Sequence, residues 1–341
     1  MILLTGANGH LGANLLRRLV ADGGDVRVLL RPKSDNSTVD GLPVERAYGD
    51  LRDPESLGAA VRGCSEVYHT AAEVALHYRR EQIFQTNVIG TRNLLRASLV
   101  AGVRKVVVSG SLSAVGYDPE RPSDESMPFQ PFEEHLPYSV SKAFVEHECL
   151  KAAVEGLNVV IAVSCAILGS WDFKPSRMGR VLIDFANGRM RAYIPGGFEF
   201  VAARDIVEGH VLAMRHGRCG QRYIFGSGFR TTDELMALYE RISGRRRPVR
   251  VPAGLMAGVA RITSTVLNNF FPDVPQRFTP ASVRLLRMRR RADCSKAASE
   301  LGYRPTSIEE AVQEAYDWFL ERGVIRRAEA VGRAREARAD S

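Results

Sequence analysis

Tyr138 and Lys142 stand one helical turn apart in Tyr138-Ser139-Val140-Ser141-Lys142. Residues four apart on a helix share a face. A phenol titrates near 10, and a neighbouring ammonium favours its phenolate. Such a pair therefore suits proton transfer to or from a substrate oxygen near neutral pH. Upstream lies a hydroxyl-rich loop, Ser109-Gly110-Ser111-Leu112-Ser113, directly after the apolar run Lys105–Val108. A hydroxyl at the carboxyl edge of a parallel sheet is well placed to donate to a carbonyl oxygen held beside Tyr138. Any of the three serines could do so on residue type alone.

A second constellation opens the chain. Thr5-Gly6-Ala7-Asn8-Gly9-His10-Leu11-Gly12 is a T-G-x-x-G-x-x-G loop between an apolar strand and a helix. In that context Gly6 permits a tight turn, Gly9 lets backbone approach a pyrophosphate, and Gly12 lets helix and strand pack. The helix N-terminus adds free N–H groups and partial positive charge. An acidic residue closing the second strand would favour NAD. Here Val26–Leu30 ends in Arg31, with Lys33 two residues on, which suits the 2′-phosphate of NADP(H). Asp50, in Gly49-Asp50-Leu51, can accept from an adenine amino group or cap the next helix. Asp53 suits the capping role better.

These residues need a scaffold, and the periodicity supplies one. Ile2–Thr5, Val26–Leu30, Val44–Tyr48, Val67–Thr70, Lys105–Ser109 and Val159–Ser164 read as buried strands. Between them, Leu11–Ala21, Pro54–Arg62, Glu81–Ala101 and Tyr138–Glu155 read as amphipathic helices. The alternation predicts an α/β fold, a Rossmann doubly wound parallel sheet with a smaller C-terminal substrate-binding domain. Residues 1–165 form the NADP-binding unit, which also receives about 200–225, with a helix over Asp205–Arg215. Residues 166–320 form the mainly substrate-binding region, and 321–341 an Arg-rich tail.

Composition excludes more than it assigns. The 341 residues are 45% hydrophobic and 25% charged, the profile of a globular protein. The net charge of +8 comes from 6 Lys and 41 Arg against 39 acids. That disfavours a Lys-rich membrane tether. Arg245–Arg247 and Arg284–Arg291 accompany no DNA-binding motif and read as solvated helix faces, so no nucleic-acid partner is expected. The five cysteines include no C-x-x-C pair, which argues for free, mostly buried thiols in a reducing compartment and for no metal site. No signal peptide and no transmembrane span are evident, so a cytoplasmic protein is expected.

Taken in order, the glycine loop, Gly49-Asp50-Leu51, His69-Thr70-Ala71-Ala72, Thr86-Asn87-Val88-Ile89-Gly90-Thr91, the serine loop and Tyr-x-x-x-Lys resemble the extended (atypical) short-chain dehydrogenases/reductases over about residues 1–320. Val26-Arg27-Val28-Leu29-Leu30-Arg31-Pro32, Gly188-Arg189-Met190 and Glu300-Leu301-Gly302-Tyr303-Arg304-Pro305 resemble the dihydroflavonol-4-reductase-like branch. They also resemble its bacterial hopanoid-associated epimerase-like members. The resemblance implies Tyr138 as general acid and Lys142 as the group that lowers its pKa and holds the nicotinamide ribose. It implies Ser111 as the catalytic hydroxyl, with Ser113 as an alternative, and Asn87 as support for a proton-relay water. Gly6, Asn8, Gly9, His10, Leu11 and Gly12 then form the pyrophosphate loop, and Arg31 and Lys33 the 2′-phosphate contact. Asp50 and Leu51 form the adenine site, Ala71 and Ala72 the ribose–nicotinamide wall, and Ser109 a further cofactor contact. Two positions depart from the family pattern: Ser164 where Pro is usual, and Gly110 where Ser is common.

The implied reaction is NADPH-dependent reduction of a ketone, or the reverse oxidation, on a hydrophobic, aromatic or polyketide-like small molecule. The alternative is a nucleotide-sugar epimerase or dehydratase with tightly bound NAD(P). It is disfavoured because Cys165-Ala166-Ile167-Leu168-Gly169 replaces the R-x-x-N-x-Y-G-P stretch common in those enzymes. A redox sensor without chemistry would not need both Tyr138 and Lys142. Substrate contacts are sought at Glu73, His77, Tyr78, Arg79, Arg80, Trp171, Phe173, Arg177, Arg180 and Tyr193, each more often structural than contacting. Pro252–Phe271 is apolar at helical spacing and reads as a core or dimer-facing pair ahead of a membrane-surface segment. Extended members are often dimers, which implies a homodimer.

Overall fold

The computed structural model describes residues 1–74, 80–129, 136–252 and 280–326. His77, Tyr78 and Arg79, the apolar segment from Ala253 to Phe271, and the tail beyond Arg326 lie outside the described residues, as does the side chain of Arg80. The elements run β1 Ile2–Thr5, α1 His10–Ala21, β2 Val26–Leu30, β3 Glu45–Tyr48, α2 Pro54–Val61 and β4 Glu66–His69. Then come α3 Arg80–Phe84, a π-helical turn Gln85–Ile89, α4 Gly90–Val100, β5 Lys105–Ser111, α5 Pro137–Val154 and β6 Val159–Ser164. The second half holds β7 Ala166–Leu168, α6 Arg177–Ala186, β8 Ala192–Tyr193, β9 Gly197–Ala202, α7 Ala203–His216 and β10 Arg222–Phe225. It continues with β11 Gly228–Thr231, α8 Thr232–Ser243, β12 Val249–Arg250, α9 Pro280–Met288, α10 Ser295–Leu301 and α11 Ile308–Glu321.

Seven parallel strands form the main sheet in the order β10-β6-β5-β4-β1-β2-β3. The order reverses between β1 and β4, which opens the crevice where such sheets bind ligands. Val, Ile and Leu fill these strands because helices cover both faces. Val106, Val107, Val108, Val159, Val160 and Val163 are fully buried. A second core joins Leu168, Leu182, Phe185, Phe200, Leu235, Tyr239, Ile308, Val312 and Phe319, drawn from β7, β9, α6, α8 and α11. The chain returns to the first core twice, with α7 and β10 and again with Ala297, Leu301 and Tyr303.

Two local departures from the periodicity matter. The helix expected over Glu81–Ala101 is broken by the π turn at Gln85–Ile89. One extra residue per turn is often found at functional positions, and here it carries Asn87. Strand β5 runs two residues past Ser109, because Gly110 and Ser111 pair with Val163 and Ser164 of β6. A Cβ on Gly110 would lie 2.9 Å from Ile161 Cγ2 and 3.0 Å from Val163 Cγ2, so glycine keeps that pairing close. Ser111 is therefore the last residue of a strand.

Candidate active site

The glycine loop is shaped by two different demands. Gly6 has φ of +80°, and a Cβ there would sit 2.5 Å from the Ala71 nitrogen. At Gly12 it would sit 2.1 Å from the Gly6 carbonyl oxygen. Both glycines are required by the fold itself, and Ala71 is the wall against which the turn closes. Gly9 differs: its Cβ would meet only the Gly6 oxygen, at 3.4 Å, an ordinary contact. Gly9 is exposed and is the N-cap of α1, with no side chain on the helix's first N–H groups. Among the described residues nothing needs glycine there; a ligand passing over the loop would. The donor set at an uncapped helix N-terminus fits a dinucleotide pyrophosphate.

Neighbouring side chains hold this loop in place. The Asn8 amide donates to Asn36 Oδ1 at 2.6 Å and its oxygen accepts from the Thr38 hydroxyl. That ties the loop to the segment after β2, where Arg31 and Lys33 project exposed. His10 Nε2 donates to the Ser170 carbonyl at 3.0 Å, and Asn14 donates to the same oxygen at 2.9 Å. Leu11 belongs to the core, so only its backbone faces the loop. Asp50 accepts from Arg52 Nε and Nη2, both at 2.8 Å, and this pairing holds its carboxyl down at about 2. The charge of Arg31 acts on it in the same sense. Asp53 caps α2 through the Glu55 N–H. Leu51 is buried, packed where a Cβ on Gly90 would meet it at 2.7 Å. Ala72 is half-buried beyond Ala71.

The reacting groups gather at the carboxyl end of β5. Pro137 occupies the first turn of α5, where its missing N–H costs nothing. Tyr138 follows at once, and the side chain of Ser111 acts on its hydroxyl, favouring the charged form. Ser111 Oγ also lies 2.9 Å from Ser113 Oγ. Ser164, paired with Ser111 across the strands, donates to the Gly110 carbonyl at 3.3 Å. One turn along, Lys142 is buried and donates to the Ser109 carbonyl at 2.8 Å.

Burial dominates the electrostatics of the pair. Burial raises the Tyr138 hydroxyl above its ordinary value, against the opposing pull of Ser111 and of the Arg177 guanidinium. Lys142 donates to the Ser109 carbonyl and keeps its charge. Burial brings Lys142 down to about 8. Tyr138 is thus held as a phenol, a proton donor. Ser109 is tied at two atoms. Its hydroxyl pairs with His210 at 2.7 Å and its carbonyl with Lys142, which leaves its side chain able to meet a cofactor only as an acceptor. Asn87 is likewise occupied: it accepts from the Glu73 N–H at 2.7 Å and donates to the Glu73 carbonyl at 3.1 Å and to Ser141 Oγ at 3.0 Å. It ties the segment after β4 to the catalytic helix, and Ser141 returns the tie to the Tyr138 carbonyl at 2.7 Å.

Of the substrate candidates, Trp171 and Phe173 have aromatic partners of their own. They pack on Trp318 at centroid distances of 4.5 and 5.2 Å, with the Arg17 guanidinium 4.0 Å from the Trp171 ring. Tyr193 donates to Asp233 at 2.8 Å, and Arg180 to the Pro175 carbonyl at 2.9 Å. Arg177, at the start of α6, is exposed, and its charge reaches Tyr138. Two buried histidines were not singled out for chemistry by the sequence. His69 links Thr5 Oγ1 at 2.7 Å to Thr91 Oγ1 at 2.9 Å. Thr91 in turn donates to the Asn87 carbonyl at 2.5 Å. His210, on α7, has no spacing that distinguishes it from an ordinary core histidine. Among the described residues no helix is long and apolar enough to cross a membrane.

Comparison with known proteins agrees with this geometry. Residues 2–226 match the NAD dependent epimerase/dehydratase family. The sterol demethylase protein B of Methylococcus capsulatus is 45% identical over 325 residues, covering 95% of this chain and 99% of that protein. A 4-hydroxy-2-methyl-3-oxo-4-farnesyl-3,4-dihydroquinoline-1-oxide ketoreductase of Stigmatella aurantiaca is 28% identical over 313 residues, covering 88% and 90%. The crystal structure of gox2253 superposes with a TM-score of 0.85 at 32% identity, covering 96% of this chain and 99% of that one.

Proposed function

The chain belongs to the NAD dependent epimerase/dehydratase family of extended short-chain oxidoreductases, and on that footing we propose that it reduces a ketone on a hydrophobic small molecule with NADPH, or runs the reverse oxidation. The observation that carries this reading is the placement of Ser111, last residue of β5, and Tyr138, in the first turn of α5, at the sheet's carboxyl edge, with burial keeping Tyr138 a phenol. A sterol-like polycycle is the substrate class favoured by the sterol demethylase relative, and the farnesyl-quinoline ketoreductase is a second relative with a large apolar substrate.

In this reading Gly6, Gly9, Gly12 and the N-terminus of α1 hold the pyrophosphate, and Arg31 with Lys33 meets a 2′-phosphate. The bound nicotinamide supplies or takes the hydride. Ser111 Oγ donates to the substrate carbonyl oxygen and holds it against Tyr138. Tyr138 Oη gives its proton to that oxygen as negative charge grows there. The phenolate left behind is stabilised by the charge of Arg177, which already pulls Tyr138 downward, and by the Ser111 hydroxyl once the product alcohol no longer takes its proton. Lys142 adds positive charge one turn away.

The test is a panel of 3-oxosteroids, flavanonols and prenylated quinolones with NADPH or NADH, followed at the nicotinamide absorbance. Net NADPH oxidation with at least one apolar ketone supports the proposal. Copurifying nucleotide, no net turnover and interconversion of a nucleotide sugar would replace it with epimerisation. Preference for NADH would refute the role given to Arg31.

A further inference from the structure

The buried His210 takes no part in the reaction described above, yet it is joined to it by two hydrogen bonds. Its Nδ1 lies 2.8 Å from the Ile206 carbonyl, four residues back on α7, and its Nε2 lies 2.7 Å from Ser109 Oγ. A carbonyl only accepts, so Nδ1 must carry the proton. Nε2 is then a bare acceptor, and the Ser109 hydroxyl must donate to it. The Ser109 carbonyl accepts from Lys142 at 2.8 Å. Strand β4 ends with His69 opposite Val108, so from Ser109 onward strand pairing holds β5 only from the β6 side. Side chains must do the rest. Helix α7 comes close enough because Gly209 lies flat on Phe225, where a Cβ would stand 2.6 Å from the ring.

We propose that His210 is a positioning residue for the catalytic lysine: through the Ser109 hydroxyl it fixes the peptide whose carbonyl holds the Lys142 ammonium, one helical turn from Tyr138. The inference rests on the Tyr138–Lys142 reading of the site. The groups that face Lys142 are Glu146 and Cys149 on its own helix, His69 from β4 and His210 from α7. Burial and the Lys142 charge keep both histidines neutral, His69 at about 3 and His210 at about 4. Lys142 is therefore the one cation of this pocket among those groups, and its direction depends on the acceptor that His210 steadies.

The test has one arm that needs no substrate. The chain holds only six lysines, so full-length protein labelled with 15N-lysine gives few side-chain signals, and Lys142→Arg assigns the one of interest. In the wild type the Lys142 ammonium resonance is expected to be protected from exchange at pH 7. In His210→Leu and in Ser109→Ala it should broaden away, and His210→Gln, which keeps an acceptor near the Nε2 position, should restore it. The second arm is turnover of an androstan-3-one with NADPH. His210→Leu should lower kcat tenfold or more with KM within twofold, His210→Gln should recover most of the loss, and the Leu/Ala double variant should be no worse than either single. An unchanged Lys142 resonance in folded Ser109→Ala and His210→Leu would overturn the proposal, as would additive losses in the double variant. If His210→Leu does not fold, Ser109→Ala decides. If the wild type turns over no ketone, the functional reading fails while the resonance still judges this one.

Discussion

The three loop glycines separate what the fold needs from what a ligand needs, and alanine substitution measures the difference. Ala at Gly6 meets a φ of +80° and a backbone nitrogen at 2.5 Å, and Ala at Gly12 a carbonyl oxygen at 2.1 Å. Each should cost about 3 kcal/mol or more in the nucleotide-free protein. Gly9 has φ of −88° and ψ of 165°, which any residue adopts, and its Cβ touches only one atom at 3.4 Å. There, reduced chain entropy gains about 0.4–1 kcal/mol. Alanine as an N-cap loses a similar amount. Gly9→Ala should therefore melt within about 0.5 kcal/mol of the wild type. Yet its methyl occupies the face a pyrophosphate would approach, so NADPH affinity should fall tenfold or more, about 1.4 kcal/mol. The assays are thermal melts without nucleotide and titration of NADPH by its own fluorescence. A Gly9→Ala protein that binds NADPH within twofold of the wild type would refute the reasoning. So would one that is strongly destabilised without nucleotide.

Other consequences are equally open to measurement. Arg31→Ala should weaken NADPH about tenfold, the scale of one charge-assisted phosphate contact, and leave NADH nearly unchanged; equal loss for both would remove Arg31 from the 2′-phosphate site. Trp171 has φ of +58° and stacks on Trp318 and Arg17. Trp171→Ala should cost about 2 kcal/mol. Trp171→Gly should cost about 1 kcal/mol less, because it releases the left-handed backbone; urea melts in which Gly is the worse variant would contradict this. His69 and His210, held at about 3 and about 4, stay neutral when the unfolded chain takes up protons below about 6.5. Stability should therefore fall as pH drops from 6.5 toward 4, by about 3 kcal/mol for each histidine. Urea midpoints that stay flat over this range would show that these histidines are not buried neutral.

Much of this was legible because the signals were local. Apolar runs bounded by Gly or Asp located β2 and β6 to the residue, since strands buried on both faces admit little else. The T-G-x-x-G-x-x-G spacing located the turn, since Gly6 and Gly12 answer to short-range contacts. What escaped depended on distant partners. Ser111 became a strand end because β6 pairs with it. The π turn at Asn87 goes with ties to Glu73 and Ser141, 14 and 54 residues away. Trp171 and Phe173 were placed as candidate substrate contacts by type and neighbourhood, and Trp318, far along the chain, claims them instead. His210 showed no pattern because its importance lies in a serine 101 residues before it.

Tyr138→Phe is the direct test of the central claim, that a protonated Tyr138 beside Ser111 delivers the proton. The variant removes one oxygen and leaves Lys142 on the Ser109 carbonyl, so NADPH should bind as before. Single-turnover reduction of a ketone accepted by the wild type should slow by about a hundredfold or more. A Tyr138→Phe protein that binds NADPH and reduces the same ketone at the wild-type rate would contradict the account.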